Sequence, residues 1–87
     1  MRCTEKELID ACKEMLVWSR HMGRAAMGLY EEEKYFEMVK RSGYGSEYYM
    51  GMTDACHAVL LRLIGGKELM KLDEELWNSD KDEEELN

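Results

Sequence analysis

A compact group of basic side chains near position 20 is the first place in this sequence where chemistry could occur. Arg20, His21 and Arg24 fall within five residues, and the two arginines are one helical turn apart on the same face. Tyr44 and Tyr48 lie near a glycine-rich turn, where their rings could stack on a planar ligand. The two arginines and these two tyrosines therefore predict a ligand-binding site for a small anion or nucleotide.

Three consecutive glutamates at positions 31–33 give the same side chains a structural alternative. Arg20 and Arg24 could pair with these glutamates or with Glu47, while the tyrosines pack with their hydroxyl groups at the surface. We favour this structural interpretation over a ligand site. The charge-rich stretch 31–37 is otherwise expected to form a solvated face.

Cysteine and histidine raise a metal hypothesis. The side chains that could supply a Cys2His2 zinc set are Cys12, His21, Cys56 and His57. Cys56 and His57 are adjacent, however, so on a helix they point about 100° apart. Cys12 and Cys56 also fall on apolar stripes, where a cysteine usually behaves as a small hydrophobic residue. We therefore expect no metal and no cofactor, and we interpret the three widely spaced cysteines as reduced thiols of a cytoplasmic protein.

Acidic residues are concentrated near the C-terminal end. Residues 1–66 contain ten acidic and nine basic side chains, a net charge of −1, whereas residues 67–87 contain nine acidic and three basic ones, a net charge of −6. Such a strip can imitate the phosphates of a nucleic acid and occupy the basic groove of a nucleic-acid-binding protein. The predicted partner-binding residues are Asp73, Glu74, Glu75, Trp77, Asp80, Asp82, Glu83, Glu84 and Glu85. The alternative is a solvated end that only aids solubility.

Familiar catalytic motifs are missing from the sequence. It contains no P-loop, no GxGxxG, no GxSxG and no HExxH, so we expect no enzymatic activity. The net charge of −7 repels nucleic acid and acidic membranes, so direct binding to either is not expected. No apolar run approaches the roughly 18 residues of a membrane span, and the N-terminal stretch lacks the apolar segment of a signal peptide.

Helical periodicity runs through most of the chain, while proline is absent and β-branched residues are scarce. Thr4 and Glu7 have the spacing of a capping box, which predicts the start of the first helix. The predicted helices are 5–22, 26–41, 46–64 and 67–77. We therefore predict an all-α fold: a compact bundle of three to four helices in residues 1–77, followed by a mobile, disordered acidic tail in residues 78–87.

The connection between the first two predicted helices has an alternative. The apolar period continues past Met22, so residues 5–41 could form one helix of about 55 Å that a partner covers in an oligomer. Gly23 and Gly28 are the expected break points, because glycine weakens a helix interior. We favour two helices.

The stretch from Ser46 to Gly66 is expected to be the central helix of the bundle. Its apolar stripe has the 3.6-residue period of one helical face, and Gly65 and Gly66 should end it. The predicted stripe consists of Met52, Ala55, Cys56, Val59, Leu60 and Leu63.

These patterns favour a non-catalytic protein that binds, and so regulates or inhibits, a partner protein. A sharper alternative is an acidic nucleic-acid mimic that blocks a nucleic-acid-binding protein, and a third is a binder of small anionic ligands. In outline, a short, acidic, helical chain without a catalytic motif is similar to small phage-encoded inhibitors of host proteins, although no residue motif carries that likeness. A homodimer is also plausible, because so small a bundle leaves apolar side chains exposed.

Overall fold

Three helices form the described part of the protein. The computed structural model describes the backbone of residues 2–85 and the side chains of residues 2–76. The helices are α1 (Glu5–Ala26), α2 (Glu33–Ser42) and α3 (Ser46–Glu85), and the described residues contain no strand. Gly65 has non-helical φ and ψ angles of 84° and 162°, so α3 consists of two helical segments, 46–64 and 66–85. The predicted all-α class and number of helices are confirmed. The last helix continues to Glu85, beyond its predicted end at Trp77, and the side chains of the predicted acidic tail, residues 78–87, lie outside the described part.

Helix α1 begins where its sequence predicts and ends later. The Thr4 hydroxyl accepts a hydrogen bond of 3.1 Å from the backbone N–H of Glu7, which caps the first turn. The predicted end at Met22 is wrong, because α1 continues through Gly23 to Ala26. A Cβ atom at Gly23 would lie 3.5 Å from the Cβ atom of Tyr49. That is an ordinary van der Waals distance, so Gly23 lies at the contact between α1 and α3, within a continuous helix, and does not break it.

The chain leaves α1 at Gly28, whose φ of 77° is readily accessible to glycine. The backbone N–H of Gly28 donates to the carbonyl of Ala25, and that of Leu29 donates to the carbonyl of Arg24, both at 3.0 Å. Helix α2 then begins at Glu33, seven residues later than predicted. The alternative of one continuous helix over residues 5–41 is therefore wrong.

Helices α1 and α3 pack in antiparallel register. Gly23 lies against Tyr49, and one turn earlier in α1 the Ser19 hydroxyl forms a hydrogen bond of 2.8 Å with the hydroxyl of Thr53, one turn later in α3. Over the described residues, α1 is the only helix that packs against both of the others. Helix α1 therefore holds a central place, and segment 46–64, expected to be the central helix, contributes Cys56 and Leu60 to the core.

The core lies between α1 and both segments of α3. Gly65 turns the second segment back against the first. A contact of 2.8 Å between Nε2 of His57 and Oδ1 of Asp73 joins the two segments. The buried core cluster consists of Leu16, Cys56, Leu60 and Leu69, with Ile9, Cys12, Ile64, Leu72 and Leu76 partly buried around it. None of the helices, within the described residues, combines the length and apolar character that crossing a bilayer requires.

The apolar stripe of α3 has the predicted period but a different phase. Tyr49, Cys56 and Leu60 are buried, whereas Ala55 and Val59, both predicted to face the core, are exposed. The buried face of α3 runs from Tyr49, which lies against Gly23 of α1, through Cys56 to Leu60, and Ala55 and Val59 fall outside it. The prediction that Ala55 and Val59 belong to the core is wrong for this reason.

Two glycines of α3 are expected to respond in opposite directions to the same substitution. Gly65→Ala should lower the free energy of unfolding by about 1–3 kcal/mol, because the backbone there lies in a region almost exclusive to glycine. Gly51→Ala should raise it by about 1 kcal/mol, because Gly51 is in a regular helix. An added Cβ atom would meet no neighbour within 4 Å at either position, so the difference isolates the backbone. Urea denaturation followed by circular dichroism measures both values, and equal effects would contradict the assignment of a kink.

Candidate functional site

Four aromatic rings follow one another across the surface where the α2–α3 turn meets α1. Tyr44 and Tyr48 are stacked, with ring centroids 4.0 Å apart and planes at 14°. Tyr48 meets Tyr49 edge to face at 5.1 Å, and Tyr49 meets Trp18 of α1 in the same manner at 6.0 Å. We call these four side chains the aromatic row. The two edge-to-face contacts have the spacing and orientation of favourable aromatic pairs.

The turn before α3 holds the aromatic row in place. Gly43 ends α2 in the left-handed conformation with a φ of 73°. The Ser42 hydroxyl donates to the carbonyl of Val39 at 2.8 Å and accepts from the backbone N–H of Tyr44 at 3.2 Å. It also lies 2.7 Å from the Tyr49 hydroxyl in a third hydrogen bond. One serine thus connects the end of α2, the turn and the start of α3.

The rings of the aromatic row differ in exposure. Tyr49 is 1% exposed and belongs to the core, whereas Tyr44 and Tyr48 are 53% and 46% exposed. Tyr48 and Tyr49 are neighbours on a helix, so their side chains point about 100° apart, one outward and one inward. The row therefore has a buried base and an exposed edge.

A cleft of about 360 Å³ runs beside the aromatic row. Besides the four rings, it is lined by Met22, Met38, Arg41 and Ser42. Tyrosine, tryptophan, methionine and arginine are the residue types enriched at the centres of protein interfaces. The composition of the cleft is therefore that of a docking surface for another protein.

Helix α2 contributes Met38, Arg41 and Ser42 to this surface. None of its ten residues is buried, although Phe36, Met38 and Val39 are apolar. Phe36 is 37% and Met38 39% exposed. Among the described residues, α2 packs along α1 and meets α3 at the hydrogen bond between Ser42 and Tyr49. Its apolar side is therefore only partly covered by the rest of the chain.

A buried ionic cluster lies on the other side of the α1–α2 connection. The Glu31 side chain is 2% exposed, with Oε2 at 3.3 Å from Nε of Arg24 and Oε1 at 2.9 Å from Nδ1 of His21. Nδ1 of His21 is buried and lies at an ion-pair distance from Glu31, but the angle between the two groups is not that of a hydrogen bond. The His21 ring also stacks on Tyr35 of α2, with centroids 4.6 Å apart. The cluster attaches the connection and α2 to α1.

For Arg24, this cluster favours pairing with a glutamate over a ligand-binding role. The predicted pairing of Arg24 with a glutamate of residues 31–33 is confirmed, and the expectation that Glu31 belongs to a solvated face is wrong. The reason is that the turn at Gly28 folds Glu31 back onto α1. Glu32, in contrast, is exposed and pairs with Lys34 at 3.3 Å.

The structure does not bring the predicted ligand-binding residues together. Arg20 and Arg24 line a groove of about 290 Å³ that also contains Leu29, while Tyr44 and Tyr48 line the cleft beside the aromatic row. Both arginines interact with other groups of the protein. A single pocket formed by all four side chains is therefore not present.

The predicted acidic strip is only partly described. Asp73 pairs with His57, and Glu74 and Glu75 are exposed. The side chains of the remaining predicted partner-binding residues lie outside the described residues: Trp77, Asp80, Asp82, Glu83, Glu84 and Glu85. Their role stays a prediction.

The four side chains of the zinc hypothesis do not converge. His21 faces Glu31, His57 faces Asp73, and both Cys12 and Cys56 lie in or against the core cluster. Within residues 2–76 no group of three or more histidine, cysteine and acidic side chains could hold a metal ion.

Burial should make Cys56 the least reactive thiol. Desolvation, with a smaller contribution from the neighbouring Cys12 thiol, raises the pKa of Cys56, so its reactive thiolate is scarcer near neutral pH than that of an ordinary cysteine. We expect iodoacetamide to modify the exposed Cys3 first and Cys56 last, with the rate at Cys56 still rising at a pH above the usual thiol range. Mass spectrometry of timed digests measures the order. Modification of Cys56 before Cys3 would contradict it, and denatured protein, in which all three thiols should react, is the control.

The sequence contained a local signal for half of the aromatic row. Tyr44 and Tyr48 are four residues apart beside a turn, which is enough to predict neighbouring rings. Trp18, Met38 and Arg41 reach the cleft only through packing of α1 and α2, so nothing in their own sequence neighbourhood marks them.

Comparison with known proteins gives no relative for the chain: no family model matches it, and neither a curated protein nor a solved structure shows significant similarity.

Proposed function

We propose that this protein is a non-catalytic binding protein that docks a partner protein on the aromatic row and the adjoining side of α2, and thereby regulates or inhibits that partner. One observation supports it above the others: Tyr44 and Tyr48 are held in a fixed stack by the turn at Ser42 and Gly43, yet about half of each side chain faces solvent. An ordered aromatic surface loses little conformational entropy when it binds, which favours affinity.

The binding surface lies beside the buried base of the aromatic row. The buried Tyr49 and its hydrogen bond to Ser42 support the exposed rings of Tyr44 and Tyr48, so the surface is already formed without the partner. A partner that covers Tyr44, Tyr48 and Met38 would remove water from the large apolar side chains that the chain leaves exposed. We place this binding in the cytoplasm, where the three free cysteines would stay reduced.

Capture of the partner from the source cells tests the proposal. Wild-type protein, the double variant Tyr44→Ala/Tyr48→Ala and the control Tyr30→Ala would be immobilised, and the captured protein would be identified and purified. Tyr30 is a matched control because it is 55% exposed and does not line the cleft. We expect the purified partner to bind wild type and Tyr30→Ala equally and the double variant at least roughly tenfold more weakly. Equal affinity for the double variant, folded as judged by circular dichroism, would refute the proposal.

Ionic strength separates this proposal from the acidic mimic. An apolar docking surface should keep most of its affinity between low and high salt, and deletion of residues 78–87 should change little. A mimic that uses Glu74, Glu75 and the acidic residues after them would instead lose affinity steeply with salt and with the deletion. The purified partner allows both measurements with the same two proteins.

A further inference from the structure

We propose that the occupant of the cleft beside the aromatic row is an extended, proline-rich segment of the partner in the polyproline II conformation, with an acidic residue placed against Arg41. The inference rests on the proposed function and names the chemistry of its partner. Three features of the cleft support it: the length of the row, the type of its polar groups and its charge.

The length of the aromatic row suits a short extended segment. Centroid separations of 4.0, 5.1 and 6.0 Å place Trp18 no more than about 15 Å from Tyr44, so about five residues of a polyproline II helix, at 3.1 Å per residue, would reach from the exposed Tyr44 past the buried Tyr49 to Trp18. Proline rings pack on aromatic faces, and the polyproline II helix is largely formed before binding, so little entropy is lost.

The polar groups of the cleft are mainly hydrogen-bond donors. The indole N–H of Trp18, the guanidinium of Arg41 and the hydroxyls of Tyr44 and Tyr48 can all donate. None of these groups forms a hydrogen bond to another described residue; the row's internal hydrogen bond belongs to Tyr49. A proline-rich segment offers the complement, because its carbonyl groups are unpaired and its prolines have no N–H.

The charge of the cleft selects the flanking residue of the ligand. Among the described residues that line the cleft, Arg41 is the one charged side chain. Arg41 forms no ion pair with any described acidic residue. Arginine binds carboxylates through two parallel hydrogen bonds, so an aspartate or glutamate at one end of the segment would fix its direction. A single-stranded nucleic acid could also stack on the rings, but one arginine in a chain of net charge −7 does not form the basic groove that such binding needs.

Calorimetric titration with synthetic peptides tests the inference. The probes are decaproline with a glutamate at either end, unmodified decaproline, and a glycine–serine peptide with the same glutamate. We expect both types of proline peptide to bind, one glutamate position to bind best, and the glycine–serine peptide to show no heat of binding. Tyr44→Ala/Tyr48→Ala should weaken binding roughly tenfold or more, whereas Tyr30→Ala should not.

A charge reversal tests the role of Arg41. Arg41→Glu should abolish the preference for the glutamate-bearing peptide, and Lys40→Glu is the matched control because it changes the net charge equally on a residue outside the cleft. Retention of the preference in Arg41→Glu would overturn the assignment of the acidic flank.

Other outcomes identify other occupants and overturn the inference. If no proline peptide binds while the double variant still loses the cellular partner, the proposed function stands and the polyproline II inference is refuted. If sedimentation shows a dimer that the double variant dissociates, the occupant is a second copy of this chain. If the proline peptides do not bind and oligothymidine does, the occupant is a nucleic acid.

Discussion

Replacing Tyr49 with alanine is expected to lower the free energy of unfolding by about 3–5 kcal/mol, the range for removing a buried aromatic side chain. Tyr49 is 1% exposed, packs on Gly23 of α1, and contacts both Trp18 and Tyr48 through its ring. Its hydroxyl also holds Ser42 at the end of α2. A chain of 87 residues has a typical stability of roughly 4–13 kcal/mol, so this one change should remove a large part of it.

A conservative variant separates packing from hydrogen bonding. Tyr49→Phe keeps the ring and loses only the bond to Ser42, so it should cost about 1–2 kcal/mol. Urea denaturation of both variants, followed by circular dichroism, gives the two values. A loss for Tyr49→Ala no larger than that for Tyr49→Phe would show that the ring is not part of the core.

The central place of Tyr49 explains why the binding experiments alter other residues. Tyr49 belongs both to the core and to the aromatic row, so its replacement would change folding and binding together. Tyr44 and Tyr48 lie on the exposed edge of the row, and their replacement should leave the core intact. Fold and candidate site thus share one residue, but they can be tested separately.

Much of the fold could be predicted because its signals are local. The Thr4 cap, the turn at Gly43 and the kink at Gly65 each depend on residues close in sequence, and each lies where the sequence indicated it. Two other features depend on contacts between helices. Gly23 stays within α1, where it lies against Tyr49, and Val59 is exposed because the face of α3 that meets α1 runs through Tyr49, Cys56 and Leu60.

The candidate site could be predicted only in part for the same reason. Tyr44 and Tyr48 were identified from their spacing beside a turn, but the sequence grouped them with Arg20 and Arg24. A shared site would require the face of α1 that carries the two arginines to meet the turn before α3, and periodicity alone does not determine which faces meet. The structure turns Arg24 toward Glu31 and places Trp18 at the end of the row, which is a property of how the helices pack.

Replacing Glu31 with alanine is expected to lower the free energy of unfolding by about 3 kcal/mol, because it removes the carboxylate that pairs with the largely buried guanidinium of Arg24. The carboxylate lies within 3.3 Å of Arg24 and 2.9 Å of His21, and the Arg24 side chain is only 14% exposed. Glu32→Ala is the matched control: its carboxylate and that of its partner Lys34 are largely exposed, so the loss should stay below about 0.5 kcal/mol.

The double variant Arg24→Ala/Glu31→Ala tests the origin of this loss. If Glu31→Ala is destabilising because it leaves Arg24 without its carboxylate, then removing the arginine as well should cost clearly less than the sum of the two single changes. Hydrogen exchange should show the greatest loss of protection in α2, which the cluster attaches to α1 through His21 and Tyr35. Additive losses, or unchanged protection of α2, would mean that Glu31 is buried without serving as the link between the two helices.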